Sequence, residues 1–221
     1  MKHIIIFMGI PGSGKGTEAK KLAEEFGYVH ISTGDLFRAL ALDPKADPND
    51  LKLLEDMKAG RLVSDALVYK LAFQAIEHSL AEGHGVVLDG AIRSVEQAKA
   101  FEAFFEKKGL VGEVQVIELT LDDEMAYNRL TKRKICSECG AILPYSLDNE
   151  VRTVCQACGG KLVVRSDDSP EIARKRLEEQ GNAMIKPIIA YYQTIGLWKA
   201  VDASKSIDEV HHEVVACLAE V

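Results

Sequence analysis

Residues 4–17 read Ile-Ile-Ile-Phe-Met-Gly-Ile-Pro-Gly-Ser-Gly-Lys-Gly-Thr. Five apolar residues in succession, Ile4 to Met8, suit a short strand buried on both faces. The turn that follows has the spacing G-x-x-x-x-G-K from Gly9 to Lys15 and leads into a helical pattern. The glycines of such a turn let backbone N–H groups converge on phosphate oxygens. The helix presents its positive end to them, and Lys15 can reach the terminal phosphates. The general motif has Ser or Thr after the lysine; here that residue is Gly16, and the hydroxyl comes one later, at Thr17. A Mg²⁺ ion is therefore expected to be held mostly by phosphates, water and a distant carboxylate.

The 221 residues suffice for one substantial α/β domain with insertions. A hydrophobic content of 47% supports a real core, and a net charge of −7 argues against a general nucleic-acid binder. No apolar stretch approaches the roughly 20 residues that span a bilayer, and the run after Lys2 leads into the glycine turn rather than a cleavage site. These features predict a cytoplasmic protein with no membrane partner. Four of the five cysteines form Cys136-x-x-Cys139 and Cys155-x-x-Cys158, separated by 15 residues. That spacing predicts a four-thiolate zinc site on two tight knuckles. Cys217, on a C-terminal amphipathic pattern, reads as a packed thiol.

Strands are predicted at 3–8, 28–31, 86–89, 114–120 and 198–201. Helices are predicted at 15–26, 35–42, 50–59, 65–82, 94–107, 123–133, 168–194 and 206–220. The alternation implies an α/β fold with a parallel sheet covered by helices on both faces, and a ligand beyond the strand C-termini. Two segments break the rhythm. Residues 33–63 form short helices, and residues 134–164, which carry the cysteines, suggest a zinc-stapled β insertion. The core then comprises 1–32, 64–133 and 165–221.

Asp89 follows the apolar run Val86-Val87-Leu88, a position from which a carboxylate can hold Mg²⁺ beside phosphates. Arg38, Arg93, Arg129, Arg133, Arg165 and Arg176 lie at element ends or beside the two insertions. Phosphoryl transfer requires two substrates held in line and the dispersed charge of a loose transition state stabilised. Guanidinium forks suit that task better than lysines.

The chain resembles adenylate kinase over essentially its full length. The resemblance rests on Gly9–Thr17, Ile31-Ser-Thr-Gly-Asp-Leu-Phe-Arg38, Gly60-Arg-Leu-Val63, Leu88-Asp-Gly90 with Arg93 and Gln97, Arg129 and Arg133, and Arg165-Ser-Asp-Asp168 with Arg176. The four cysteines match the zinc-bearing lid of part of that family. The resemblance implies a P-loop-type core, a monophosphate-binding flap at 33–63 and a lid at 134–164. It implies reversible transfer from Mg-ATP to AMP, giving two ADP. Gly12 to Thr17 would cradle ATP phosphates. Thr33, Arg38, the backbone of Arg61, Leu62 and Val63, Gly90, Arg93 and Gln97 would hold AMP. Arg129 would lie against the ATP adenine, and backbone groups near Ile142, Leu143 and Lys205 would complete the ATP site. Arg133, Arg165 and Arg176 would cross the transferring group, with the last two also reaching AMP. The zinc would shape the lid and play no electrophilic part. By analogy the protein is expected to be a monomer.

Thr33 and Gln97 fit the adenine-specific branch, since relatives acting on UMP or CMP typically carry Ala and Asn there. The family normally reads Asp-Gly-Phe-Pro-Arg after the third strand, whereas this chain has Asp89-Gly90-Ala91-Ile92-Arg93. A cis bond before Ile92 would cost about 3 kcal/mol, so a trans bond is predicted. Loss of the ring predicts AMP binding weaker by about tenfold, checked by the AMP KM after Phe-Pro is restored. Smaller departures are Glu18 for Gln, Lys134 for a second arginine and Ala203 for Gly. Two alternatives remain open from sequence: a kinase preferring UMP, CMP or GMP, and an ATP-binding regulator with a zinc ribbon.

Overall fold

The computed structural model describes residues 2–58, 64–145, 147–164 and 168–219. In chain order the first half contains β1 (Ile4–Met8), α1 (Lys15–Phe26), β2 (Val29–Ser32), α2 (Thr33–Leu42), α3 (Pro48–Lys58), α4 (Asp65–Ala81), β3 (Val86–Asp89), α5 (Val95–Lys107) and β4 (Val114–Thr120). The second half contains α6 (Asp123–Lys132), β5 (Lys134–Cys136), β6 (Ile142–Leu143), the single turn α7 (Leu147–Glu150), β7 (Leu162–Val164), α8 (Pro170–Gln180), α9 (Asn182–Thr194), β8 (Trp198–Asp202) and α10 (Ile207–Ala219).

Five strands form one sheet in the order β2-β3-β1-β4-β8, and all four pairings are parallel. The unbroken apolar run of β1 has its reason in the two layers around it. Ile4, Ile6 and Met8 join a cluster with Ala72 and Ile76 of α4, Phe101 and Phe105 of α5, and Ile188 and Tyr192 of α9. Ile5 and Phe7 face the other way, onto Ala19 and Leu22 of α1 and Val210, Val214 and Leu218 of α10. All five β1 side chains are at most 3% exposed, each adding about 2 kcal/mol of burial. In the sheet order β2-β3-β1-β4-β8 the connection from β1 runs to one side, to β2, while the connection from β3 crosses to the other side, to β4. That reversal opens a crevice beyond the strand C-termini, where Gly9 and Gly90 lie.

The cysteine segment forms a separate three-stranded antiparallel sheet, β6-β5-β7. Among the described residues its buried side chains are few: Cys136, Cys155 and Leu162, with Ala141 and Leu143 packed against them. A unit with so little apolar burial needs another source of stability.

One expected element differs. The helix predicted over 168–194 is two helices, α8 and α9, broken at Gly181, which takes an extended conformation (φ −77°, ψ −172°). A Cβ there would stand 2.2 Å from Leu177 O, so glycine permits the tight passage. Asn182 secures the restart through Nδ2, which donates to Leu121 O at 3.0 Å and Asp123 Oδ1 at 2.8 Å. The helix predicted from residue 35 begins at Thr33, because Ser32 caps it by accepting from the Asp35 N–H.

Glu18 is buried on α1 and faces His211 of α10. His211 Nδ1 lies 3.0 Å from Glu18 Oε2, and Nε2 lies 2.8 Å from Glu25 Oε2. Burial raises the Glu18 carboxyl above its ordinary range, partly offset by His211. The contact ties the helix behind the glycine turn to the C-terminal helix.

Candidate active site

The glycine turn closes on itself tightly. Gly9 has φ +141°, and a Cβ there would meet Ser13 Oγ at 2.6 Å and Leu119 O at 2.7 Å. Gly12, at φ +89°, would collide with Ala126 O at 2.8 Å. Neither position admits a side chain, so the backbone itself forms the cradle. The left-handed Gly14 caps α1 and provides no side-chain cap hydrogen bond to that helix end.

Lys15 folds over this turn. Its Nζ donates to Gly9 O at 2.8 Å and Ile10 O at 3.0 Å. Burial lowers the ammonium pKa to about 8; Asp89 opposes that shift, while Arg176, Arg93 and Arg133 add to it. Asp89 stands at the end of β3, against Gly16: a Cβ on Gly16 would lie 3.2 Å from Asp89 Oδ2. Burial alone would raise the Asp89 carboxyl, but His30 and Lys15 beside it outweigh that and hold it below its ordinary value. His30 on β2 brings Nε2 to 3.6 Å from Asp89 Oδ2, an ion-pair separation longer than a hydrogen bond.

Arg133 and Arg176 are fixed by one carboxylate, Asp168, to which the sequence pattern assigns no role of its own. Asp168 is fully buried. It accepts from Arg133 Nε and from Arg133 NH2 at 2.8 Å, and from Arg176 NH1 at 3.0 Å. The fork at the C-terminal cap of α6 and that of α8 are thereby joined at one point. Arg93 stands opposite, with Nε donating to Gly90 O at 3.3 Å; burial and the Arg176 charge lower its pKa. Burial also lowers Arg129.

A cleft of about 1730 Å³ gathers most of the expected residues. Gly12, Ser13, Gly14, Lys15, Gly16, Thr17, Asp89, Gly90, Arg93, Arg129, Arg133 and Arg176 all line it, as do Thr33, Arg38, Ile142 and Lys205. The volume exceeds the roughly 300–1,000 Å³ of an ordinary single-ligand site. Thr33 Oγ1 donates to Gly90 O at 2.9 Å, and Arg38 pairs with Asp35. Two expected residues lie elsewhere. Leu143 packs on the cysteine cluster. Gln97, 6% exposed, sits behind Arg93 and accepts from the Arg93 N–H at 2.6 Å. Arg61, Leu62, Val63 and Arg165 lie outside the described residues.

Among the described residues no peptide bond is cis, as expected for Ala91–Ile92. Both side chains are buried, 3% and 5% exposed, in the cluster beneath β1 and β3. Lys134, in place of an arginine, does not reach the cleft: its Nζ donates to Glu150 O at 2.6 Å and Arg152 O at 2.7 Å.

The four cysteines are free thiols, with all four Sγ atoms within 4.8 Å of one another. Cys136 and Cys158 approach to 3.4 Å, and Cys139 and Cys155 to 3.8 Å. Tetrahedral thiolates about 2.3 Å from a zinc ion stand about 3.8 Å apart, so the donor set fits. Backbone N–H groups of Cys139 and Glu138 point at the Cys136 sulfur and lower its pKa, while the neighbouring sulfurs raise that of Cys158, as expected of crowded thiols, which need a cation beside them for all four to ionise.

The family model described as adenylate kinase matches residues 7–197. The chain belongs to the adenylate kinase family. A protein named adenylate kinase from Carboxydothermus hydrogenoformans is 41% identical over 207 residues, covering 93% of this chain and 94% of that one. Namesakes from Borrelia turicatae and Borreliella burgdorferi are 36% and 35% identical, over 98% and 96% of this chain and 99% and 96% of theirs. The family match runs through residues 33–63 and 134–164 and through strands β2, β3 and β4 of the sheet. Among the described residues no helix is long and apolar enough to cross a membrane.

Proposed function

We propose that the protein transfers the terminal phosphoryl group of ATP to AMP, reversibly, giving two ADP, and does so as a cytoplasmic monomer. The observation that carries this reading is the convergence of Lys15, Asp89, Arg93, Arg133 and Arg176 on one cleft in a chain matched by the adenylate kinase family over residues 7–197.

Such a transfer asks little covalent chemistry of the protein; it asks for position and for charge. Backbone N–H groups from Gly12 to Thr17 hold the β- and γ-phosphates of ATP. Lys15 exchanges its two carbonyl acceptors for phosphate oxygens. Arg133 and Arg176 are held rigid by Asp168 before substrate arrives, so they stabilise the dispersed charge of the transition state without reorganising. Arg129, Ile142 and Lys205 flank the ATP side. Thr33, Arg38, Gly90, Arg93 and Gln97 serve AMP, together with the backbone at 61–63. Arg165 joins the arginine set. Asp89 is the carboxylate placed to hold Mg²⁺, either directly or through water, since Gly16 leaves the usual hydroxyl position empty of a ligand. When bound, Mg²⁺ supplies charge neutralisation between the phosphates. Residues 33–63 act as a flap and 134–164 as a lid, and their closure excludes water as a competing acceptor.

The four-cysteine cluster holds structural zinc in this reading, with the metal supplying the stability that three buried side chains cannot. Chelation is expected to melt residues 134–164 selectively. Amide hydrogen exchange in the insertion rises toward that of an unfolded chain, KM for ATP rises at least about tenfold, and protection in the five-stranded sheet stays unchanged. Unaltered exchange in the insertion after complete metal removal would contradict the role given to the cluster.

The reading is tested by incubating the zinc-loaded protein with Mg-ATP and AMP and separating the nucleotides by anion exchange. Two ADP formed for each ATP consumed, and the reverse reaction from ADP alone, are expected. Release of inorganic phosphate without ADP derived from AMP would overturn it.

A further inference from the structure

Gln97 is locked by partners on two different elements. Its Oε1 accepts from the backbone N–H of Arg93 at 2.6 Å, and its Nε2 donates to Asp65 Oδ1 at 2.7 Å. The orientation of the amide follows from the partners themselves. A backbone N–H can only donate and a carboxylate can only accept. A reversed amide would set NH₂ against the Arg93 N–H and a carbonyl oxygen against the Asp65 carboxylate, two repulsive contacts in place of two attractive ones. Gln97 is only 6% exposed, so water does not relieve such a mismatch cheaply.

We propose that Asp65, at the start of α4, is a specificity-determining positioning residue for the acceptor base. With one lone pair and one hydrogen already committed, Gln97 retains one acceptor on Oε1 and one donor on Nε2. That remaining pair complements a base edge carrying an amino donor beside a ring-nitrogen acceptor, as in 6-aminopurine. It mismatches a 6-oxopurine, whose edge carries a carbonyl acceptor beside an N–H donor. Asp65 thus rejects the oxo base without touching it, by forbidding the amide flip that would accept it. The inference rests on the assignment of Gln97 to the monophosphate site, although the side chain stands behind Arg93 rather than on the cleft wall in this structure, and adds the residue that fixes which base Gln97 can read.

The test compares kcat/KM for AMP and IMP, which share ribose and phosphate and differ only at this edge. It uses the full-length protein and the Asp65→Ala and Asp65→Asn variants, with thermal unfolding recorded for each. Asp65→Ala frees one side of the lock and is expected to lower the AMP-to-IMP ratio about tenfold, mainly by raising turnover of IMP. Asp65→Asn still offers a carbonyl oxygen to Nε2 and is expected to restore the ratio to within about threefold of the parent. An unchanged ratio in Asp65→Ala, or equal losses for AMP and IMP in both variants, would overturn the proposal, since either marks a structural role alone. The parent protein separates the two levels of inference. If it fails to use AMP at all, the reading of the site falls. If it uses AMP while the variant ratio stays put, only the role of Asp65 falls.

Discussion

Lys15→Met is expected to lower kcat/KM for ATP by about 10³-fold, with the fold intact. The ammonium sits at the mouth of the glycine turn, partly buried, and among the described residues it donates to the carbonyls of Gly9 and Ile10. Those are weak acceptors beside a polyphosphate, so binding replaces two neutral hydrogen bonds with charge-assisted ones where burial makes charge count most. The same burial gives a pH signature. With the Lys15 pKa lowered to about 8, the productive protonated form predominates at pH 7 and is lost as pH rises through 8. The parent protein is therefore expected to show an alkaline fall in kcat/KM for ATP centred near pH 8, a parameter that reports groups of the free enzyme. The fall is absent from Lys15→Met. Steady-state kinetics between pH 6.5 and 9.5 check both points (the window brackets about 1.5 units either side of that pKa). An alkaline limb of the same position in the methionine variant would assign it to another group.

Asp168→Ala is expected to reduce kcat by about 10²–10³-fold and to destabilise the protein by about 3–5 kcal/mol, the usual cost of removing one partner from a buried ion pair. Asp168 has no exposed surface and engages Arg133 and Arg176 together. Without it the two guanidinium groups repel each other, and the transition-state charge must be met by side chains that first have to find their positions. A carboxylate acting by position affects kcat more than KM. Initial rates at saturating substrate, paired with urea unfolding, separate the two effects. Wild-type kcat in a folded Asp168→Ala protein would show that Arg133 and Arg176 need no such anchor.

The sheet and the ATP side of the cleft were legible from sequence for identifiable reasons. Five successive apolar residues in β1 fit only a strand covered on both sides, and the two clusters meeting at Ile4 to Met8 show why each was needed. The turn from Gly9 to Lys15 carries its own geometry, because glycine is obligatory where a Cβ would strike Leu119 O or Ala126 O. The four-thiolate cluster was equally legible, since paired C-x-x-C knuckles bring sulfurs together whatever the intervening chain does.

Contacts between distant segments were not legible. Asp168 reads in sequence as one acidic residue in a helix-start pattern; its partner Arg133 lies 35 residues earlier. Asp65 looks like an acidic first-turn residue of α4, and only the packing of α4 beside α5 sets it against Gln97. Likewise the break at Gly181 disappears inside a continuous helical periodicity, because the obstruction comes from Leu177 O within the tight passage itself. Ala91-Ile92 reads as the loss of a ring beside the acceptor. In the fold both side chains pack into the core cluster while Ile92 still lines the cleft, so an apolar residue remains on the acceptor side at that turn.

The most direct test of the whole account is a coupled assay of ADP formation from Mg-ATP, run in parallel with AMP, UMP, CMP and GMP as acceptors on zinc-loaded protein. Rapid turnover with AMP and little with the other three is the predicted result. Preference for another monophosphate, or no turnover with any of the four, would contradict it.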